Sequence, residues 1–446
     1  MRESLRGELC CPDEEGYDEA RSLWNAMFDK RPALIVRCAE AADVIHAVNF
    51  ARTHRLPVAV RGGGHNVAGS GACEGGLMLD MARMKDVQID PATRTARAEP
   101  GLTWGEFDRA TQAFGLATTG GICSQAGIAG VTLGGGFGWL MRKHGLALDN
   151  LLSVDIVTAD GELRTANATE NADLFFGVRG THSNLGVVTS LQYQLHPVGP
   201  TVLAGMVIHP LEKGKEVLRF YRDYTRQAPE EMSAWAALLT APDGNPVVAI
   251  LACYFGEQGG EQGEQVVQPL REFGPPLMDV IQPMPYVNAQ SLIDESFPKG
   301  RHNYWKSHLL HELSDDAIDA LVEGFRAVAS PYSSVLIEHL GGAMSRVGND
   351  DTAFPHRDAA YDLVIMPMWS EAAESDQHIQ WADELWQATQ PSSSGGVYVN
   401  YLSNEGNERI KAAYGATYER LVALKNQYDP LNLFRFNQNI APTQPS

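Results

Sequence analysis

Two reactive side chains stand among glycines in this chain. His65 directly follows Gly62, Gly63 and Gly64, and Cys123 lies between Gly121 and Gly127. A neutral imidazole nitrogen is a nucleophile near physiological pH. A cysteine becomes one as the thiolate, which nearby donors or a positive potential favour. Either residue alone reads as structural, since a buried cysteine commonly serves as a small hydrophobe. The glycine loops around them point to chemistry instead. Successive backbone amides in such turns form a concavity that binds anions and supplies a positive potential.

Segments 61–76, 120–138 and 177–186 are all dense in glycine. Three such loops in an acidic chain suggest one diphosphate-bearing ligand. The net charge of −20 requires local donors to hold it, and Arg61 and Arg179 can add charge there. There is no GxGxxG fingerprint and no GxxxxGK[ST], so neither a Rossmann site nor a P-loop is supported.

The elements that must carry these loops are legible in outline. Residues 33–38 (ALIVRC) and 57–61 (PVAVR) read as strands, the second running into the first glycine loop. Between them Val44, Ile45, Val48 and Ala51 share one helical face. Thr103 and Glu106 form a capping box opening a helix that ends near Gly115. Residues 153–166 read as a hairpin turning at Asp160-Gly161. Leu191, Tyr193 and Leu195 alternate with polar residues, marking a half-buried strand. After Pro197 the glycine loops stop, and longer strands (247–255) mix with amphipathic helices (315–329). A turn-rich stretch at 390–396 precedes the C-terminal segment. A length of 446 residues implies two or three domains.

Composition excludes several classes. An acidic chain is a poor partner for nucleic acid or anionic membrane, both polyanions. No apolar run is long enough to cross a bilayer, and residues 1–22 lack the apolar core of a secretory signal. Six cysteines in a long chain make no disulfide framework, and no CxxC or HExxH spacing suggests a metal. The expectation is a soluble cytoplasmic protein with reduced thiols. Its oligomeric state is not encoded in any pattern we recognise.

At these residues the chain resembles the berberine bridge enzyme-like oxidases of the vanillyl-alcohol-oxidase superfamily. The likeness runs through RGGGHNVAG (61–69), GGICSQAGIAGVTLGGGFGWLMRKHGLALDN (120–150), FFGVRGTHSNLGVVT (175–189), YVNYLSNEG (398–406) and YERLVALKNQYDPLNLFRFNQNIAP (418–442). It implies an α+β fold: a PCMH-type FAD-binding domain of two α+β subdomains, plus a substrate domain with an antiparallel sheet flanked by helices. Residues 1–197 would be the FAD domain and 198–396 the substrate domain. Residues 397–446 would return to the FAD domain.

The resemblance also implies FAD as cofactor, bonded through its 8α-methyl to His65 and through C6 to Cys123. The separation, 123 − 65 = 58, suits the doubly tethered members. By the same implication Arg61, Gly62, Gly63, Gly64, Asn66 and Gly69 bind the cofactor from the first motif. Gly121, Ala126, Gly127, Gly130, Val131, Gly134, Gly136 and Gly138 do so from the second. Gly186, Val188, Tyr398 and Asn400 complete the set.

Tyr401 takes the position of the catalytic base, acting on a small-molecule substrate with O2 as electron acceptor. A phenol titrates near ~10, so Tyr401 would need a cation or donors to act near neutrality. Ala126 stands where the family's oxygen gate lies, and its small side chain would admit O2.

The chain departs from the family pattern in places. Ser124, Gln125 and Ala126 follow the cysteine where many members have Pro-Thr-Val. Val131 replaces a histidine near the ribityl chain. Thr181-His182-Ser183 replaces glycines, and Leu185 replaces Phe. His182 is therefore either a substrate or flavin contact or a local loop substitution. In the middle segment His302, Tyr304, Trp305, His339, His356, Arg357 and Trp369 are candidate substrate contacts. A secondary-metabolite or carbohydrate alcohol is the favoured substrate class. Two alternatives are a flavin dehydrogenase with a non-oxygen acceptor, and a silent ligand-binding homologue, against which the retention of His65, Cys123 and Tyr401 together speaks.

Overall fold

Strand-forming runs at the N-terminus pair in parallel because a helix returns the chain between them. The computed structural model describes residues 1–256 and 261–443. Leu34–Arg37, Leu77–Asp80 and Val58–Arg61 lie side by side in parallel, with Glu8–Cys10 antiparallel on the edge. The crossover helix Ala41–His54 buries Val44, Ala47, Val48 and Ala51, while Ile45 is half-buried. The strand Val58–Arg61 then delivers the chain into the first glycine loop.

A second sheet of five antiparallel strands runs in the order Val87–Asp90, Thr95–Ala98, Val187–Gln194, Leu151–Val157, Leu163–Asn167. The capping box at Thr103 forms as expected. Its hydroxyl accepts from the Glu106 amide at 3.3 Å and the Glu106 carboxylate accepts from the Thr103 amide at 2.9 Å, opening the helix Trp104–Gln112. Such a cap stabilises by about 1 kcal/mol. The hairpin differs by one residue from the expected two-residue turn. The Gly161 amide bonds to the Thr158 carbonyl at 2.9 Å, and the Thr158 amide bonds to the Glu162 carbonyl at 3.1 Å just beyond the last ladder pair, Val157 and Leu163. The loop is thus Ala159-Asp160-Gly161, with Gly161 at φ +83° closing it in the left-handed region.

The third sheet is antiparallel throughout and has eight strands. Its central run is Thr201–Pro210, Pro246–Tyr254, Met232–Thr240, Ser334–His339, Tyr361–Met366, Lys306–Leu310. Its strands read as continuous apolar runs because both faces are buried. Ala234, Ala236 and Leu238 face the helices Gly214–Thr225, Asp315–Phe325 and Ser375–Thr389. Trp235 and Ala237 face the other way and pack with Phe137, Tyr398 and Tyr401. Each fully buried Leu or Ile adds roughly 1.5–3 kcal/mol. The fold is thus mixed α and β, with antiparallel sheets and helices. One sheet face closes over the glycine loops.

Candidate active site

Two glycine loops from distant parts of the chain touch backbone to backbone. A Cβ on Gly63 would lie 2.4 Å from the Gly127 amide nitrogen, and one on Gly127 would lie 2.4 Å from that of Gly63. Only glycine permits this approach. It brings the His65 and Cys123 loops to one open cleft that both residues line.

The cleft fits FAD on this chain's own residues. A Cβ on Gly130, in the helix Ile128–Gly134, would meet no atom within 4 Å, so open ligand space lies beside it. The buried Nδ1 of His182 also lines the cleft and has no partner among the described residues.

Most of the expected residues line this cleft: Arg61, Gly62, Gly63, Gly64, His65, Asn66, Gly121, Cys123, Ala126, Gly127, Gly130, Val131, Val188, Tyr398, Asn400 and Tyr401. Five do not, and each is occupied by packing. A Cβ on Gly69 would strike the Phe28 ring, one on Gly136 the Ala147 side chain, and one on Gly138 the Gly120 carbonyl. Gly186 abuts the Val157 carbonyl, and Gly134 makes room for the side chains of Asn400 and His182.

The third glycine segment lends the cleft His182 and Ser183, not an amide cradle. Arg179 is no phosphate ligand either: it stacks on Phe175 at 4.2 Å and donates to the Asp351 carbonyl. Arg61 does line the cleft, but its guanidinium is held bidentately by the buried Asp80 at 2.6 and 3.1 Å.

The environments of the two nucleophiles differ. Burial lowers the His65 imidazole to about 4, so it is neutral and has a free lone pair at physiological pH. Its ring stacks on Trp24 with centroids 5.4 Å apart. Cys123 corrects the expectation of a thiolate. Burial, reinforced by the charge of Asp294, pushes its thiol up to about 12. Low dielectric outweighs the amide potential there.

Tyr398, Asn400 and His182 form one fixed network. The Tyr398 oxygen accepts from the Gly136 amide at 2.7 Å and from Asn400 Nδ2 at 2.6 Å. The same Nδ2 donates to the Val131 carbonyl at 3.2 Å, which fixes the amide's orientation. Asn400 Oδ1 then accepts from His182 Nε2 at 2.5 Å, leaving Nδ1 as a bare acceptor. His182 takes φ +54°, which this network holds in place.

Tyr401 closes the aromatic end of the cleft with Trp305, Trp24, Phe297 and Phe137. Its hydroxyl donates to Glu338 Oε1 at 3.3 Å. Among the described residues neither a cation nor a donor bonds to that oxygen; a carboxyl stands there instead. Burial raises Glu338 to about 8 and holds the Tyr401 phenol well above its ordinary value. Glu338 faces Asp362 on the neighbouring strand, also fully buried and raised.

Of the middle-segment candidates, Trp305 reaches the cleft. His302, Tyr304, His339, His356, Arg357 and Trp369 are committed to other contacts, such as Arg357 to Asp149 and His339 to Arg142. Sequence reasoning missed Glu338, Asp362, Trp24, Phe297 and Asp294. A lone carboxylate inside an apolar strand (SVLIEH, YDLVIM) was the available signal for the first two. The same signal marks Asp80, which braces Arg61, so it does not single out chemistry.

Residues 32–167 match the family model described as FAD binding domain, and residues 397–441 that described as berberine and berberine like. The chain is 33% identical to an FAD-linked oxidoreductase of Dictyostelium discoideum, over 99% of this chain and 96% of that one. The solved 6-hydroxy-D-nicotine oxidase of Arthrobacter nicotinovorans superposes with a TM-score of 0.90 at 31% identity, over 98% of each chain. The carbohydrate oxidase of Microdochium nivale, solved with a substrate analogue, gives 0.88 at 26% identity, over 99% of this chain and 98% of that one.

Proposed function

The chain belongs to the berberine-like FAD-linked oxidoreductases, and from that premise we propose an oxidase acting on a small molecule at a C–H beside a hydroxyl or amine. FAD, when bound, supplies the hydride acceptor and passes the electrons on, here to O2 with formation of H2O2. The chain's own part is to hold the ring, orient the substrate and take its proton.

Holding falls to His65 and Cys123, each bonded covalently to the flavin, with the loops at 61–66 and 121–127 around the diphosphate. In support, both nucleophiles line one cleft and His65 is neutral there. Tyr398, Asn400 and His182 position the ring through their shared network. Residues 1–197 and 397–446 form the FAD-holding part, and 198–396 shapes the substrate end, to which it lends Phe297 and Trp305. A cytoplasmic location agrees with six cysteines that are all free thiols.

The single observation that carries the chemistry is the Tyr401 hydroxyl against Glu338. Tyr401 accepts the substrate's hydroxyl or amine proton while its own passes to Glu338. Burial keeps Tyr401 from acting as a free phenolate, so the carboxyl behind it is the proton's destination. The aromatic walls exclude water from this transfer and suit a flat or apolar substrate face. Names of similar proteins point to both an amine and a sugar, so both groups stay within the proposal.

The test is anaerobic mixing of the yellow holoenzyme with small alcohols, amines and oligosaccharides, followed by air. Bleaching by one of them, then recovery with equimolar H2O2, is the expected result. Recovery only with an artificial dye would make it a dehydrogenase, and no bleaching at all would leave a binding protein.

A further inference from the structure

We propose that Asp294 is the proton acceptor that allows Cys123 to bond to the flavin, while its hydrogen bonds to Ser124 fix the loop presenting the sulfur. The inference rests on the double attachment proposed above and adds the group that drives its second bond.

Asp294 opens the short turn Asp294–Ser296 of the middle segment, three residues before Phe297 of the cleft wall. It reaches across to residues 170 positions earlier in the chain. One carboxylate oxygen accepts from the Ser124 amide at 2.8 Å and the other from the Ser124 hydroxyl at 2.5 Å. The same loop is tied on its far side, where the Ser124 carbonyl accepts from the Gly105 amide at 2.8 Å. Cys123 is therefore held at the cleft from two directions. The negative charge of Asp294 acts on both Cys123 and His65.

A buried thiol at about 12 offers almost no thiolate near neutrality. Bond formation at its sulfur then requires the proton to leave as the bond is made, and the carboxylate bonded to the very next residue, Ser124, is the acceptor the structure offers. The step balances as follows. The S–H bond breaks and its proton passes to Asp294. The S–C6 bond forms, and the hydrogen on C6 leaves as a proton. The two electrons released go to O2, which takes up two protons as H2O2.

Asp294→Asn separates the two roles, because an amide can accept from the Ser124 backbone through Oδ1 and donate to its hydroxyl through Nδ2 but cannot take the proton. The full chain would be made by cell-free synthesis without flavin, given FAD and air, and quenched in acid over time. Peptide mapping then reads flavin at each residue. The expected result is normal His65 attachment with Cys123 attachment slowed on the order of a hundredfold, as loss of a general base entails. Asp294→Glu should restore much of the rate, and Ser124→Ala should keep most of it. Equal Cys123 rates in D294N and wild type would overturn the proposal. Loss of both linkages together would also overturn it, by making Asp294 a folding or loading residue. Wild type carrying no flavin at Cys123 would instead sink the double attachment beneath it.

Discussion

Gly63 and Gly127 meet backbone against backbone, 64 positions apart in sequence, leaving no room for a Cβ on either. This contact sets the spacing of the His65 and Cys123 loops. Gly63→Ala or Gly127→Ala should therefore push the loops apart. Overpacking of this kind costs about 1–3 kcal/mol. Thermal unfolding should show that loss, and flavin content should fall with it.

Gly130 makes the opposite case. A Cβ there meets nothing beyond its own helix turn within 4 Å, and alanine in a helix gains up to about 1 kcal/mol over glycine. Gly130→Leu should leave the flavin-free chain at least as stable as wild type. It should also abolish flavin uptake, because the side chain fills ligand space. Normal loading of G130L would show that FAD does not pass this helix.

Tyr401→Phe removes one oxygen and little volume. Turnover should drop about 10²–10⁴-fold, the usual contribution of a positioned acid or base. Flavin content and substrate binding should stay close to wild type. Stopped-flow bleaching under anaerobic conditions measures the step directly.

Glu338 gives the reaction its pH dependence. Burial raises this carboxyl to about 8, and it must lose its proton before it can accept one from Tyr401. The value of kcat/KM should therefore climb as pH rises through about 8 and level off above it. Glu338→Gln should flatten that limb and lower the plateau. A wild-type profile flat from pH 6 to pH 10 would remove Glu338 from the proton path.

The legible parts of this molecule are local ones. The glycine loops, the Thr103 capping box, the strand entering at Val58 and the Tyr398–Tyr401 segment all depend on residues close in sequence, so their pattern survives in the linear chain. What stayed hidden depends on distant segments meeting. Trp24 bonds to the Phe297 carbonyl 273 positions away, and Tyr401 finds Glu338 63 positions away. Glycine also serves two ends that look alike in sequence. Gly63 brings loops together, whereas Gly69 and Gly138 simply admit a neighbouring ring or carbonyl. The Cys123 thiol was misjudged for a related reason: a loop's amides are visible in the sequence, but its burial is not.

In the proposed holoenzyme one flavin is held by both His65 and Cys123. Acid precipitation of the purified protein, followed by proteolysis and mass mapping of the yellow peptides, tests it most directly. The expected result is a single flavin joining the peptide of His65 to that of Cys123, with Cys123→Ala reducing it to the His65 peptide alone. Flavin released into the acid supernatant, with both peptides at their unmodified masses, would contradict it.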